Sequence, residues 1–281
     1  MLKQRVLTAI VLLVILAATV SVASNWPFFI FLSVACSLAG WEWCRLTSPS
    51  RPWVSLVTGA VLAFVTLYQA YLWQISTAPD LRLLTVSVMV SAAVWIFAVL
   101  PAVYRGRADA AASSLMWTLF APVSLFSTWA ALAHLYSNRS ASYVLSLLIL
   151  IWVADIAAYF AGKAFGKNKL APRISPGKTL EGAAAGVVGV FIWVLGCALF
   201  WPNSFGSALV SQWSWLGAGL LAILLAVVSI TGDLFESLLK RRAGVKDSSQ
   251  LLPGHGGVYD RIDAVVAVVP LAYLLTEGLS W

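Results

Sequence analysis

The sequence predicts an all-α, polytopic transmembrane helix bundle of about nine spans, with the N-terminus cytoplasmic and the C-terminus outside. Three observations carry that expectation. Of the 281 residues, 61% are hydrophobic and 10% charged, and the mean hydropathy is +0.89; a soluble domain, whose surface must be solvated, does not have this composition. The apolar residues fall in continuous runs of about 20, the length a helix needs to cross a hydrocarbon core of about 30 Å. They do not form the alternating segments of about ten residues that build a membrane barrel. Basic residues are abundant in every second connector, as cytoplasmic loops require.

Taken in order, the runs place spans near 6–23, 27–44, 53–73, 81–100, 113–133, 142–160, 182–201, 213–232 and 264–280. Lys3 and Arg5 precede the first, Arg45 and Arg51 follow the second, and Arg105 and Arg107 follow the fourth. Lys163, Lys167, Lys169, Arg173 and Lys178 follow the sixth; Lys240, Arg241, Arg242, Lys246 and Arg261 follow the eighth. These make sixteen of the 18 basic residues, and the opposite side holds Arg82 and Arg139. Because they flank spans at five separate places, they form no nucleic-acid stripe. The first run, ending Ser21-Val22-Ala23, has the outline of a signal peptide, but its length favours an uncleaved helix. Glu42, among Trp41, Trp43 and Arg45, reads as an anchor at the cytoplasmic membrane edge. Gly186, Gly189 and Gly196 read as packing positions where helix backbones approach. Cys36, Cys44 and Cys197 lie inside apolar runs without metal or redox spacing and read as small core residues. No internal repeat stands out. Residues 1–140 are expected to form supporting helices, and 141–281 a catalytic region with two cytoplasmic connectors, 161–181 and 233–263.

The chemistry is expected where charge enters the apolar chain. Asp155 lies inside the sixth span, where an aspartate costs up to about 3 kcal/mol, so it needs a partner or a purpose. Helical spacing puts Ser229, Asp233, Glu236, Ser237 and Lys240 on one face of the eighth span. Such a stripe faces the bundle interior or a wet cavity. Asp260 and Asp263 share a face at the start of the last span, where Asp263 also reads as a helix cap. Carboxylates gathered without His or Cys suit a hard cation such as Mg²⁺, which bridges to phosphates. Neither His134 nor His255 has a ligand partner at metal spacing, so zinc is not expected. Lys178, Lys240, Arg241, Arg242, Lys246 and Arg261 complement phosphate charge, each also having a plain reading as a membrane anchor. Pro253-Gly254-His255-Gly256-Gly257 offers a bare backbone to an anion. Ser175-Pro176 reads as an N-cap and first helical position, a second place for an anion. His255 is placed to act as a base or to shape its loop.

One stretch resembles the long signature of the phosphatidate cytidylyltransferases, or CDP-diacylglycerol synthases. It comprises Ser237, Lys240, Arg241, Lys246, Asp247, Ser249, Leu252, Pro253, His255, Gly256, Gly257, Asp260, Arg261, Ile262 and Asp263. Two further segments are similar to that family: Asp155-x-x-Ala158-Tyr159-Phe160 with Gly162 and Phe165-Gly166, and Ser175-Pro176-x-Lys178-Thr179-x-Glu181-Gly182. The resemblance implies transfer of a cytidylyl group from CTP to phosphatidate, releasing pyrophosphate, with Mg²⁺ required and a second cation compatible with the carboxylates present. It implies paired metal ligands at Asp233 and Asp260, with Glu236, Asp263 and Asp155 as further candidates. From these contacts Ser175, Lys178 and Thr179 are expected to hold CTP phosphates. Lys240, Arg241, Lys246 and Arg261, with His255, Gly256 and Gly257, are expected to hold the lipid phosphate or pyrophosphate, and Lys240 and Lys246 to assist catalysis. The expected setting is the bacterial cytoplasmic membrane with the site facing the cytoplasm, in a monomer or a homodimer. The rivals are a polyprenol kinase, an archaeal-type CDP-lipid synthase and an ion-coupled transporter, whose site would sit near the midplane.

Overall fold

The computed structural model describes residues 2–76 and 80–278, with side chains from residue 7 onward except that of residue 9. The charges of Lys3 and Arg5 therefore fall outside the described side chains. Each expected run is a helix: α1 Leu2–Ser21, α2 Trp26–Thr47, α3 Pro52–Ile75, α4 Arg82–Arg105, α5 Leu115–Asn138, α6 Ala141–Phe165, α7 Leu180–Phe200, α8 Phe205–Arg242 and α9 Tyr259–Thr276. Seven of these, α2 through α8, are long and apolar enough to cross a membrane. α9 has 18 residues, carries Asp260, Arg261 and Asp263 near its start, and is buried along nearly its whole length between its neighbours.

Local chemistry sets the helix starts. Ser114, Ser140, Thr179 and Ser204 each accept a hydrogen bond from a backbone N–H three residues on, satisfying a donor that the first turn leaves open. α4 passes through a π turn at Trp95–Val99, just before Pro101, whose ring cannot sit in an unperturbed helix interior. α8 breaks at Ser214 (φ 62°, ψ 173°). From there to Arg242 it runs about 42 Å at 1.5 Å per residue. That exceeds a hydrocarbon core of about 30 Å, so the helix is longer than a span requires.

The bundle has two chemically different ends. At one, the Ser114 N–H donates to the Thr47 carbonyl (2.8 Å), Arg242 Nε to the Arg107 carbonyl (2.9 Å) and Thr8 to the Pro253 carbonyl (3.0 Å). The basic connectors converge there. At the other, Arg139 pairs with Glu277 (2.8 Å) and Asn25 donates to Ser137 (3.2 Å).

The core beneath the basic end is aromatic. Trp43 stacks on Tyr259 with centroids 4.8 Å apart and meets Phe235 edge-on at 5.5 Å, while Trp95, Trp117 and Phe120 complete the cluster. Five helices, α2, α4, α5, α8 and α9, are thereby locked directly behind the residues that precede Glu236 and Asp260.

Two sequence expectations need correction. Ser175 and Pro176 do not open a helix: β2 Ser175–Thr179 pairs antiparallel with β1 Lys169–Ala171, and α7 starts after Thr179. Strand pairing with residues only a few positions upstream supplies the backbone partners that the cap would have supplied. Gly186 and Gly189 do pack against α6, where an added Cβ at Gly186 would lie 2.9 Å from the Ala154 carbonyl. Gly196 instead faces open space.

Candidate active site

Asp233, Glu236 and Lys240 follow one another along one face of α8, and Gly232 brings that face against α9. A Cβ at Gly232 would stand 2.7 Å from the Asp263 carbonyl and 2.9 Å from Ala267 Cβ, so only glycine permits the crossing. The consequence is a cluster in which one carboxylate oxygen each from Asp233, Glu236 and Asp263 lies within 4.8 Å of the others. Glu236 is 1% exposed and Asp263 9%. Asp263 is not the cap its position suggested, because α9 begins a full turn earlier at Tyr259 and its Oδ1 accepts only from the adjacent Ala264 N–H (2.8 Å).

Three carboxylates in so small a buried space repel one another and lose hydration, so cations must offset them. Among the described residues two lysines pair with them directly. Lys178, from β2, pairs with Asp233. Lys240 Nζ lies 2.5 Å from Glu236 Oε2 and 2.6 Å from Asp260 Oδ1, holding the two carboxylates apart with one ammonium. Glu236 Oε1 is buried without a hydrogen-bond partner. All-oxygen ligands, a surplus of acid and an unsatisfied carboxylate oxygen fit a hard divalent cation.

Asp260 is held differently. Its Oδ2 accepts from the Ser248 N–H (3.0 Å), Ser248 Oγ (2.8 Å) and the Gly257 N–H (2.7 Å). Burial pushes its carboxyl up, but the hydrogen bonds from Lys240 and the Gly257 N–H outweigh burial and hold it well below the usual carboxylate range.

Glu42 requires the largest correction. It is not a membrane-edge anchor but is fully buried, with no exposed surface. Its oxygens accept from Ser249 Oγ (2.5 Å), the Val258 N–H (3.0 Å) and the Tyr259 N–H (2.6 Å). Ser248 Oγ bridges it to Asp260. The carboxylate thus seats on the N-terminus of α9, where free N–H groups and the helix dipole favour an anion. Sequence did carry a signal, since Glu42 is the first acidic residue of the chain and none follows before Asp80.

A cavity of about 620 Å³ gathers Asp155, Ser175, Lys178, Thr179, Asp233, Glu236, Lys240, Asp260, Arg261 and Asp263. Tyr159, Gly162, Lys163 and Asp247 also line it, and of these Tyr159 and Gly162 follow Asp155 at i+4 and i+7. Arg241, Lys246, His255, Gly256 and Gly257 stand outside that lining. Arg241 Nε donates to the Ile174 carbonyl (3.2 Å), tying α8 to the hairpin, and Lys246 is exposed on the loop. The His255 carbonyl accepts from Arg261 Nη2 (2.8 Å). Gly256 takes φ +83°, and a Cβ at Gly257 would lie 2.1 Å from Ser248 Oγ and 2.5 Å from Glu42. These glycines shape the turn that presents Asp260.

An apolar bundle with a wet, carboxylate-lined cavity among lysines at one end has the parts of a membrane-embedded enzyme for phosphate chemistry. The chain belongs to the cytidylyltransferase family, whose model matches residues 3–279, which makes it a nucleotidyltransferase. It is 36% identical over 282 residues to the phosphatidate cytidylyltransferase of Pseudomonas aeruginosa, covering 100% of this chain and 99% of that one. Identity to the enzyme of that name from Haemophilus influenzae is 34% over 289 residues, covering 96% of each chain. With that of Thermotoga maritima it is 40% over 146 residues, 52% of this chain and 53% of the other.

Proposed function

We propose that this protein is a phosphatidate cytidylyltransferase, converting CTP and phosphatidate into CDP-diacylglycerol and pyrophosphate at the cytoplasmic face of a bacterial inner membrane. The observation that carries the reading is the 620 Å³ cavity that joins Asp233, Glu236 and Asp263 to Lys178 and Lys240, in a chain similar over its full length to enzymes of that name. The convergence of the basic connectors at the cavity's end supports the cytoplasmic orientation.

A phosphatidate oxygen attacks the α-phosphorus of CTP, the new P–O–P linkage forms, and the bond to the β-phosphate breaks to release pyrophosphate. A phosphate monoester near pH 7 carries about −1.5 to −2 charge, so the nucleophile arrives deprotonated and needs no general base. His255, outside the cavity's lining, fits that economy. Asp233, Glu236 and Asp263 would hold Mg²⁺, which when bound neutralises charge on the nucleotide phosphates. Lys178 leaves Asp233 for a phosphate oxygen, and the hairpin that carries it also brings Ser175 to the cavity. Glu236 and Asp260 would also hold a second cation, and Lys240, paired with both, keeps positive charge at that wall of the cavity. Arg261 adds a fixed positive charge at the wall. Asp155, opposite the cluster on α6, sets the orientation of Lys178. Residues 141–281 supply this machinery, and the helices of 1–140 support it and contribute Glu42.

The test is to incubate the purified protein in detergent with labelled CTP, phosphatidate and Mg²⁺. A lipid-soluble cytidine product with pyrophosphate is expected. Folded protein that yields neither, or that releases CDP as a lipid kinase does, would overturn the reading.

A further inference from the structure

The two lysines that neutralise the carboxylate cluster are held in different ways. Lys240 lies between two carboxylates, and 13% of its side chain is exposed. Lys178 pairs with Asp233 alone among the described residues, and its side chain is 27% exposed. The backbone that carries Lys178 is fixed from three sides. Thr179 is wedged against the end of α6, where a Cβ at Gly166 would lie 2.7 Å from its Cγ2 and one at Gly162 3.1 Å from its Oγ1. The Leu180 N–H donates to the Asn168 carbonyl (2.9 Å), and the Glu181 carboxylate accepts from the backbone N–H of Lys167 (3.1 Å) and of Asn168 (3.2 Å). At the turn of the hairpin, Arg241 Nε donates to the Ile174 carbonyl (3.2 Å). What remains free to turn is the Lys178 side chain itself, next to Gly177, where an added Cβ would meet nothing within 4 Å.

An ammonium in contact with Asp233 engages one carboxylate of the very cluster that suits a divalent cation. A cation entering beside Glu236 and Asp263 meets that positive charge and must turn it out, which weakens its binding. A triphosphate reverses the balance, because its oxygens offer the displaced ammonium a new partner. Resting on the reading of the cluster as a cation site for nucleotide chemistry, we propose that Lys178 is a built-in competitor of the cation. It holds Asp233 in the absence of nucleotide and so makes cation binding depend on the nucleotide's arrival. The coupling is reciprocal, so the cation raises the affinity for the nucleotide by the same factor. Lys240 is harder to displace, because it pairs with Glu236 and Asp260 at once. The device keeps a bare cation out of the cluster until a nucleotide is there to receive it.

Two measurements test this, and neither requires turnover. In the first, magnesium chloride is titrated calorimetrically into the full chain in detergent, without nucleotide or lipid. Lys178→Met is expected to tighten the Mg²⁺ Kd at least about tenfold, and Lys178→Arg to keep it within about threefold of the parent. Lys163 lines the same cavity but pairs with no carboxylate among the described residues, so Lys163→Met is expected to stay within about threefold as well. An unchanged Kd in Lys178→Met, or equal tightening in Lys163→Met, would overturn the proposal and leave the cation site standing. Absence of Mg²⁺ binding from parent and variants alike would overturn both. In the second, the unmodified protein is briefly acetylated with and without saturating Mg²⁺, and the modified lysines are mapped by mass spectrometry. Acetylation of Lys178, freed from Asp233, is expected to rise at least about threefold with Mg²⁺ while that of Lys163 holds steady. Equal acetylation of Lys178 in both conditions would show that the cation leaves the pair intact, and would sink the idea.

Discussion

Glu42 and Asp233 are both carboxylates at the basic end of the bundle, yet their surroundings give them opposite work. Every acceptor position of Glu42 that the structure describes is filled by a neutral donor of the Ser248 to Tyr259 loop. Glu42→Gln replaces one oxygen by an NH₂ that faces backbone donors, so a buried clash of donors replaces charge-assisted bonds. A loss of about 1–3 kcal/mol in stability is expected, seen as a lower thermal midpoint in detergent, together with a drop in kcat as Asp260 loses its frame. A variant with parental midpoint and kcat would show that Glu42 does not hold the loop. Asp233, by contrast, is partly exposed to the cavity and paired only with Lys178. Asp233→Asn should leave the midpoint without Mg²⁺ within a degree or two while removing at least about 99% of the activity. It should also abolish the stabilisation that Mg²⁺ gives the parent, which amounts to about 2.7 kcal/mol at a hundredfold excess over its dissociation constant. A retained Mg²⁺-dependent shift would remove Asp233 from the metal site.

At the scale of elements, the decisive contact is the crossing of α8 over α9 at Gly232. The spacing of Asp233, Glu236 and Lys240 made the charged face legible in the sequence, because i, i+3 and i+7 periodicity needs no partner to be recognised. What brings that face to Asp263 was not legible, since a glycine inside a span reads the same whether it touches a backbone or faces open space; Gly196 does the latter. Gly232→Val forces the helices apart or buries a clash, which costs about 1–3 kcal/mol, and separates the carboxylates. A drop in thermal midpoint together with loss of Mg²⁺-dependent stabilisation is expected; Gly196→Val, as a control, should change neither. The hairpin teaches the same lesson from the other side. Ser-Pro is compatible with a helix start or a strand, and only the register Lys169↔Thr179 and Ala171↔Ser175 decides between them. Glu42 failed for a related reason: its partners Val258 and Tyr259 lie 216 and 217 residues away, while the aromatic and basic neighbours it has in sequence describe a membrane edge perfectly well.

For the whole molecule, charge asymmetry read from the sequence has become a physical asymmetry of two ends. The carboxylate cavity, the hairpin and the loop of 243–258 lie at the end that holds Arg45, Arg105 and Arg107; Arg139 and Glu277 mark the other. If Lys and Arg set the orientation, the cavity opens to the compartment that contains nucleotide, and substrate lipid needs only to reach the adjoining leaflet. The three native cysteines are buried, so the parent chain is silent to a membrane-impermeant maleimide and single new thiols report cleanly. Gln250 and Asn138 are exposed at opposite ends of the bundle. In intact cells stripped of outer membrane, Asn138→Cys should be labelled and Gln250→Cys protected; in inverted inner-membrane vesicles the pattern should reverse. The opposite pattern would place the catalytic cavity on the side without CTP, and a nucleotidyltransferase reading of the site would then need a different nucleotide supply. Labelling of both positions from one side would instead contradict the separation of the two ends that Arg139, Glu277 and the converging basic connectors define.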